Sequence, residues 1–304
     1  MDMSAFEQIA SALTVKAICG PLGPDVQEWT SLWQLEACLD PAEDPNLDPW
    51  NNPSRVVDSD GSVLGILWFH NYAGVNDEDA TVAEVMDLIK PSQVLTSATT
   101  ILDAIELFGT TGNDYFFIIH INEVVGVLYF ESIFHPLGRL AILALALEIE
   151  SQALKLCQSE KNRERCWLSI SDNRKSLAIE LFKKRMGRAP EQASFSDMSV
   201  LIECTQLADK GTMLWKEQLI PKVATRAEVL GFFKKLNKIR DRCAHPGEDG
   251  LALLSRDALP QFINASQLMR RSLQEAMQMH GVGSRRGLPE ATLAELSDGE
   301  TRKT

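Results

Sequence analysis

The sequence has few basic residues in its first half and no long apolar stretch anywhere. Residues 1–136 contain three basic side chains, Lys16, Arg55 and Lys90. No run reaches the roughly 18 uncharged apolar residues that a membrane-spanning helix needs. Acidic residues stand near the start of the chain, where a secretory signal would carry positive charge. We therefore predict a protein with no signal peptide and no membrane partner.

Several classes of site are also missing from the sequence. The six cysteines include no CxxC pair, which favours reduced thiols over a zinc site or a disulfide framework. No phosphate-binding P-loop, HExxH metalloprotease motif, G-x-S-x-G elbow or usable G-x-G-x-x-G loop is present. These absences predict a cytoplasmic protein that requires no cofactor and holds no metal.

The chain is long enough for two domains, and its charge is divided unevenly between its halves. A length of 304 residues predicts roughly two domains of ~150 residues. Residues 1–136 hold three basic and 21 acidic groups, a net charge of −18, whereas 137–304 hold 27 and 21, a net charge of +6. A basic half can bind phosphates and an acidic half repels them. This uneven charge has two possible explanations: the chain has two domains with different partners, or the acidic domain is simply soluble.

Two segments of the first half share one pattern of apolar runs around a turn. The turn is Asp60-Gly61 in residues 54–69 and Ile121-Asn122-Glu123 in residues 116–130. Such patterns are typical of β-hairpins. Before the second hairpin, the apolar spacing predicts a short helix over 81–88 and an amphipathic helix over 99–108.

This order of helix, short strand, helix and hairpin resembles a CBS domain. The resemblance covers residues 81–135 as one copy and, in divergent form, residues 5–75 as another. It implies a pair of α+β copies, which in this family binds adenosine-type ligands in the cleft between them. An adenosine-type small molecule as partner, and an adenine nucleotide as regulator, are therefore expectations.

The ligand motif of the family is incomplete in both copies. In the family it reads Gly, two apolar residues, Ser or Thr, two more residues, and an Asp that accepts the ribose hydroxyls. Here the copies read GILWFHN in 65–71 and GVLYFES in 126–132, so Asn71 and Ser132 stand at the Asp position. Asn71 can accept a hydrogen bond from one ribose hydroxyl, and Ser132 is a weaker acceptor than Asn71. Packing and dimerisation therefore remain an alternative role, and ATP is disfavoured by the charge of −18.

The second half has helical periodicity and predicts an all-α bundle. We expect five helices, over 137–159, 171–186, 196–214, 225–246 and 255–273. In the second of them Leu177 and Phe182 are among the residues that mark the core side. The last segment, 281–304, lacks an apolar period and is predicted to be a flexible tail.

The fourth predicted helix ends in the sequence KLNKIRDRCAHPG, residues 235–247. An Arg, a polar residue, three more residues and a His followed by Pro resemble the signature of HEPN domains, over about 137–280. This resemblance implies a metal-independent endoribonuclease that acts as a homodimer, with two motifs facing one RNA cleft. It implies catalytic roles for Arg240, Asp241 and His245, and phosphate binding by Lys238 and Arg242.

These residue types suit the cleavage of RNA. RNA supplies its own nucleophile, the 2′-hydroxyl, and an imidazole with a pKa near ~6.5 can accept or donate the proton. A guanidinium can stabilise the charge of the transition state. Residues five apart lie ~140° apart on a helix, so Arg240 and His245 converge only if the helix ends or loosens near His245. Pro246 favours such an ending.

The sequence thus predicts an α+β CBS-like pair followed by an all-α, HEPN-like helical bundle. The expected limits are 1–136 for the pair, 137–280 for the bundle and 281–304 for the tail. The main functional hypothesis is a ligand- or conformation-regulated endoribonuclease, with toxicity or defence as a role for that activity. The alternative is a non-catalytic regulatory or dimerisation protein, in which His245 caps the helix and Arg240 forms a structural ion pair.

Overall fold

A computed structural model of the chain describes most of its residues. The described residues are 5–38, 52–73, 75, 77, 79–191, 194–220, 225–245 and 255–282. The chain divides into two compact units, one of residues 1–148 and 235–267 and one of residues 149–234 and 268–304. The sequence-based limits at 136 and 280 remain predictions.

The first unit contains two three-stranded sheets of the same topology. The first sheet has the order β1-β2-β3 and the second the order β4-β5-β6. In each, the first pair of strands is parallel and the second pair antiparallel. The strands are β1 (Val26–Gln27), β2 (Ser54–Val57), β3 (Val63–Leu67), β4 (Val94–Thr96), β5 (Tyr115–His120) and β6 (Glu123–Tyr129).

Both predicted hairpins are present, and their turns have local causes. Gly61 adopts a φ of +82°, and the Asp58 carboxylate accepts the backbone N–H groups of Asp60 and Ser62. Ile121 and Asn122 both have positive φ, as a two-residue hairpin turn with right-handed strand twist requires. The predicted repeat over 54–69 and 116–130 is therefore confirmed.

The helices of the two copies are short, and side chains cap three of them. The predicted helix before β5 is α5 (Ile101–Thr111), which Thr100 caps by accepting the N–H of Asp103. Its predicted apolar face, from Ile101 to Phe108, is buried. The helix predicted over 81–88 stops early because the backbone of Asp87 pairs with Ile66. These helices are α1 (Ala5–Ala12), α2 (Leu32–Cys38), α3 (Phe69–Tyr72), α4 (Val82–Val85) and α5 (Ile101–Thr111).

The second half of the chain is helical, with seven helices among the described residues. They are α6 (Pro136–Gln158), α7 (Arg163–Ser169), α8 (Asp172–Met186), α9 (Phe195–Glu203), α10 (Leu207–Lys216), α11 (Arg226–Ala244) and α12 (Ala258–Met279). The unit boundary falls within α6, α11 and α12. The predicted tail lies outside the described residues from 283 onward.

Three details of the helical prediction are corrected by the structure. The helix expected over 196–214 is two helices, and between them the carbonyl of Thr205 accepts a hydrogen bond from the Lys210 ammonium. Helix α7 was not predicted at all. In α8 the buried side chains are Ala178 and Phe182, one turn apart, whereas Leu177 is exposed.

Ion pairs and close packing hold the second unit together. Arg174 of α8 binds the carboxylate of Asp209 in α10 through two hydrogen bonds of 2.7 and 2.8 Å. The Asp197 carboxylate is buried and binds Arg188, and this ion pair lowers the pKa of Asp197. Gly211 lies against the ring of Phe233, where a Cβ atom would be only 2.6 Å from the ring.

Candidate functional site

The last turns of α11 carry the ribonuclease-like motif. The Arg240 guanidinium donates to Oδ1 of Asp241 at 3.1 Å and to Oδ1 of Asn237 at 3.0 Å. The amide of Asn237 in turn donates to Oδ2 of Asp241 at 3.1 Å. Arg240 and Asp241 are thus brought together as the sequence suggests, and Asn237 joins them, which sequence reasoning missed. Asn237 lies three residues before Arg240 and four before Asp241, and side chains at these spacings meet on a helix. This spacing could have identified Asn237 from the sequence.

His245 stands one residue beyond α11, and its side chain is exposed. Its backbone N–H donates to the carbonyl of Asp241 at 3.0 Å, so helical geometry persists to this residue. The side chains of Arg240 and His245 therefore leave the helix in directions ~140° apart. Helix α11 ends at Ala244, next to His245, where the sequence predicts an ending, and Pro246 lies outside the described residues. Within one chain, this geometry favours separate rather than joint contacts of the two side chains with a phosphate.

The remaining motif residues divide between a polar and an apolar side of α11. Lys238 is exposed and Arg242 is half-buried. Cys243 is buried, and this burial raises the pKa of its thiol to about 11, against a smaller lowering by the charge of Arg139. A buried thiol with a raised pKa is a packing group rather than a nucleophile. The motif thus has one face for packing and one face that solvent reaches.

A second candidate site lies where the strands β3 and β6 end. The backbones cross close to these ends, because Ile66 pairs with Asp87 and Val127 pairs with Gly20. Glycines permit both crossings. A Cβ atom on Gly65 would lie 2.7 Å from the carbonyl oxygen of Asp87, and one on Gly126 would lie 2.7 Å from that of Gly20.

We call Trp68, Asn71 and Asp87 the first strand end, and Tyr129, Ser132 and Gly20 the second. In the first, the Asn71 side chain accepts the backbone N–H of Trp68 at 2.7 Å and so caps α3. Its amide nitrogen donates to Oδ2 of Asp87 at 3.4 Å. A carboxylate therefore stands beside Asn71, although the ligand motif itself lacks one.

Sequence reasoning missed Asp87. A signal was present, since Thr14-Val15 and Thr81-Val82 begin the two copies and lie 67 residues apart. The same offset relates Gly20 to Asp87, which makes them equivalent positions in the repeat. Only the pairing of each with the strand of the other copy shows that these positions adjoin the strand ends.

Aromatic rings fill the positions where the family motif has a hydroxyl group. The rings of Trp68 and Tyr129 have centroids 6.3 Å apart, so the two copies contact each other here. Tyr115 lies between them, 4.8 Å from Trp68 and 6.4 Å from Tyr129. Trp68 also belongs to the apolar cluster between the sheets, with Phe117. The strand ends are thus joined by aromatic packing and bordered by polar groups.

Two carboxylates act on Tyr115, and one of them, that of Asp114, forms an ion pair with Arg256. Burial raises the pKa of the Tyr115 hydroxyl, and the charges of Asp87 and Asp114 raise it further. Gln93 donates a long hydrogen bond of 3.4 Å to the same hydroxyl. The Asp87 carboxylate would repel an anion that approaches the Tyr115 hydroxyl, and it would accept a hydrogen bond from a hydroxyl or amine donor.

No resident metal or membrane span is indicated in the described part of the chain. Among those residues, no three His, Cys, Asp or Glu side chains lie together as a metal site would require. None of the helices searched there is both long and apolar enough to cross a bilayer.

Comparison with solved structures finds resemblance in the N-terminal part of the chain. No family model matches, and no curated protein matches. The solved structures that resemble it include three CBS-domain structures, covering 40–42% of this chain. The CBS domains of a transcriptional regulator from Streptococcus pneumoniae share 15% identity, with a TM-score of 0.31 and 97% of that chain covered.

The other two structures were determined with nucleotides. CBSX2 in complex with AMP shares 17% identity, with a TM-score of 0.30 and 93% of its chain covered. The CBS domain of a bacterial CNNM/CorC-family Mg²⁺ transporter in complex with ATP shares 11% identity, with a TM-score of 0.32 and 89% of its chain covered. The N-terminal part of the present chain has a CBS-like α+β fold, as its repeated strand order shows, and the rest is helical.

Proposed function

We propose that this protein is a non-catalytic regulatory protein whose CBS-like pair binds an adenosine-type ligand. One observation carries the proposal. The repeat brings two equivalent strand ends into contact through the rings of Trp68 and Tyr129, with the amide of Asn71 and the carboxylate of Asp87 beside them. Trp68 itself is buried, so the half-buried rings of Tyr115 and Tyr129 provide the planar apolar surface. Such a surface next to hydrogen-bond acceptors suits a nucleoside, which has a flat base and hydroxyl donors.

The negative charge of residues 1–136 favours a nucleoside with few or no phosphate groups. Residues 1–136 carry 21 acidic and three basic groups. Of the three, Arg55 is bound in bidentate fashion to the Asp25 carboxylate, at 2.6 and 2.8 Å. It is therefore already engaged and is not a ready phosphate ligand. We propose that the ligand class is adenosine and its lightly charged derivatives rather than ATP.

Isothermal titration calorimetry of the full chain tests this function directly. The ligands are adenosine, AMP, ADP, ATP and S-adenosylmethionine, with inosine and cytidine as controls for the base. We expect saturable binding of at least one adenosine-type ligand and an accompanying rise in Tm. If none of the five binds at concentrations up to the millimolar range, the ligand-binding function is lost.

A second candidate function is metal-independent cleavage of RNA, and one observation favours it. The Asn237–Arg240–Asp241 group and the side chains of Lys238 and His245 line the solvent-reaching part of α11. A guanidinium and an imidazole can stabilise a phosphorane-like transition state and transfer protons to and from it. Because the two side chains diverge on one helix, this proposal requires a homodimer in which a second copy completes the site.

Incubation of the protein with structured RNA in EDTA tests the second candidate. The nuclease predicts cleavage by the wild type and loss of at least ~100-fold in rate for Arg240→Ala and for His245→Ala. Lys234→Ala is the matched control, because it removes an exposed cation from the same helix outside the motif. Cleavage that persists equally in all three variants would assign the activity to a contaminant.

A further inference from the structure

We infer that the first strand end selects the ligand by charge, so that the protein takes one phosphate-free nucleoside per chain, with Asp87 as the residue that decides. This inference rests on the proposed ligand-binding function and adds the class of ligand, its stoichiometry and the selecting residue. It is based on the difference between Asp87 and Gly20, which occupy equivalent positions in the two copies of the repeat.

The two strand ends have matching backbones but different chemistry. The backbone of Asp87 pairs with Ile66 at the first end, as that of Gly20 pairs with Val127 at the second. Hydrogen bonds of 2.9 Å in both directions fix the first crossing, and bonds of 2.7 and 3.2 Å fix the second. The first strand end therefore has the Asp87 carboxylate on a backbone that two hydrogen bonds fix. The second strand end has Gly20 at this position and no side chain.

The carboxylate of Asp87 is available as an acceptor. Its side chain is exposed, and its hydrogen bond from Asn71 is long, at 3.4 Å. Among the described residues it forms no ion pair with a cation. A carboxylate held beside a primary amide can accept one hydroxyl while the amide accepts or donates to a neighbouring one. Vicinal hydroxyl groups, as on ribose, match this pair.

The second strand end lacks such a pair. Ser132 offers a single hydroxyl, and Gly20 offers only its backbone. The acidic side chain next to it in sequence, Glu131, is exposed. A nucleoside at this end would keep the aromatic surface of Tyr129 but would find no carboxylate–amide pair for its sugar. We therefore expect one strong site per chain.

Electrostatics at the first end disfavours phosphate groups. Tyr115, which packs against Trp68 at 4.8 Å, is under the negative charge of Asp87, whereas the nearby Asp114 forms an ion pair with Arg256. A phosphate attached to the 5′ position of a bound nucleoside adds one to two negative charges close to the Asp87 carboxylate. At a partly exposed site each such repulsion weakens binding by a factor of several.

Calorimetry with the variant Asp87→Asn tests the inference, with adenosine and AMP as the two probes. The substitution keeps the shape and the backbone pairing but removes the charge. We expect the affinity for adenosine to fall about tenfold, because a charged hydrogen-bond acceptor is lost. We expect the affinity for AMP to change less or to rise, so the adenosine-to-AMP preference decreases. Thermal unfolding without ligand verifies that the variant is folded.

A further variant makes the result specific to Asp87. Glu131→Gln removes a carboxylate beside the second strand end. It is expected to leave the affinity for adenosine within about twofold of the wild type. If Glu131→Gln acts as strongly as Asp87→Asn, general charge rather than the first strand end sets the affinity, and the inference is wrong.

The possible failures are distinguishable. Tighter binding of AMP or ATP than of adenosine, or two equal sites per chain, would overturn the charge selection and leave the regulatory function in place. Absence of binding by every adenosine-type ligand would remove the proposed function together with this inference.

Discussion

The first and second strand ends occupy equivalent positions in one repeat, yet they share backbone geometry and almost no side-chain chemistry. Both need a glycine at the crossing, Gly65 in one and Gly126 in the other. Beside these glycines stand Asn71 and Asp87 at the first end, but Ser132 and Gly20 at the second. The comparison teaches that the repeat fixes where a site can form, whereas the individual side chains decide whether it does.

The largest expected effect tests the shared backbone. Gly65→Ala and Gly126→Ala each place a Cβ atom 2.7 Å from a carbonyl oxygen of the crossing segment. We expect both to lower the free energy of unfolding by about 1–3 kcal/mol, because the backbone must shift. Urea unfolding of the two variants measures this effect.

A matched control for these variants lies in α11. Gly231 has no atom within 4 Å of an added Cβ, so Gly231→Ala is expected to raise the free energy of unfolding by about 0.5–1 kcal/mol. If only one of Gly65→Ala and Gly126→Ala destabilises the protein, the two crossings are not equivalent.

A smaller effect tests the difference between the ends. Asn71→Asp puts a second negative charge about 3.4 Å from the Asp87 carboxylate. Ser132→Asp adds a charge at the equivalent position of the second copy, where the repeat has Gly20 in place of Asp87. We expect the first variant to lose about 1 kcal/mol of stability from repulsion, and to recover part of it in high salt. The second should stay within about 0.5 kcal/mol of the wild type. Equal losses in low and high salt would show that Asp87 does not face residue 71.

The smallest effect concerns the titration of Tyr115. Burial and the charge of Asp87 raise the pKa of this hydroxyl above 10. Because the folded state holds the proton more tightly than the unfolded state, the stability from this group is complete below pH ~10 and is lost as the pH rises through the raised pKa. In Asp87→Asn the pKa of Tyr115 should be lower and this loss smaller.

Ultraviolet titration resolves Tyr115 in a background of Tyr72→Phe and Tyr129→Phe, since the chain has three tyrosines. The control Glu131→Gln should leave the titration of Tyr115 unchanged. A pKa that does not move in Asp87→Asn would contradict the placement of that carboxylate near the ring.

Several features could be predicted from sequence because their causes are local. The turn at Asp60-Gly61 follows from one glycine and one nearby carboxylate, Asp58. The apolar face of α5 follows from helical spacing, and the pairing of Arg240 with Asp241 follows from adjacency in sequence. Residues within one turn of each other meet whatever the rest of the chain does.

Other features could not be predicted because they depend on distant parts of the chain. The helix predicted over 81–88 ends at Val85 because Asp87 pairs with Ile66, a strand residue 21 positions earlier. Helical propensity is a weak force, and such tertiary contacts override it.

The order of amino acids alone determined the hairpins, the repeated copies and the helical second half, because short-range sterics and the spacing of apolar residues set them. Tertiary structure alone decided that Asp87 stands beside Asn71, that Trp68 and Tyr129 bring the two copies into contact, and that α11 ends at Ala244. Each of these depends on a backbone crossing, a ring contact or a helix end. Such arrangements are chosen by the free energy of the whole fold and are not encoded in any one segment.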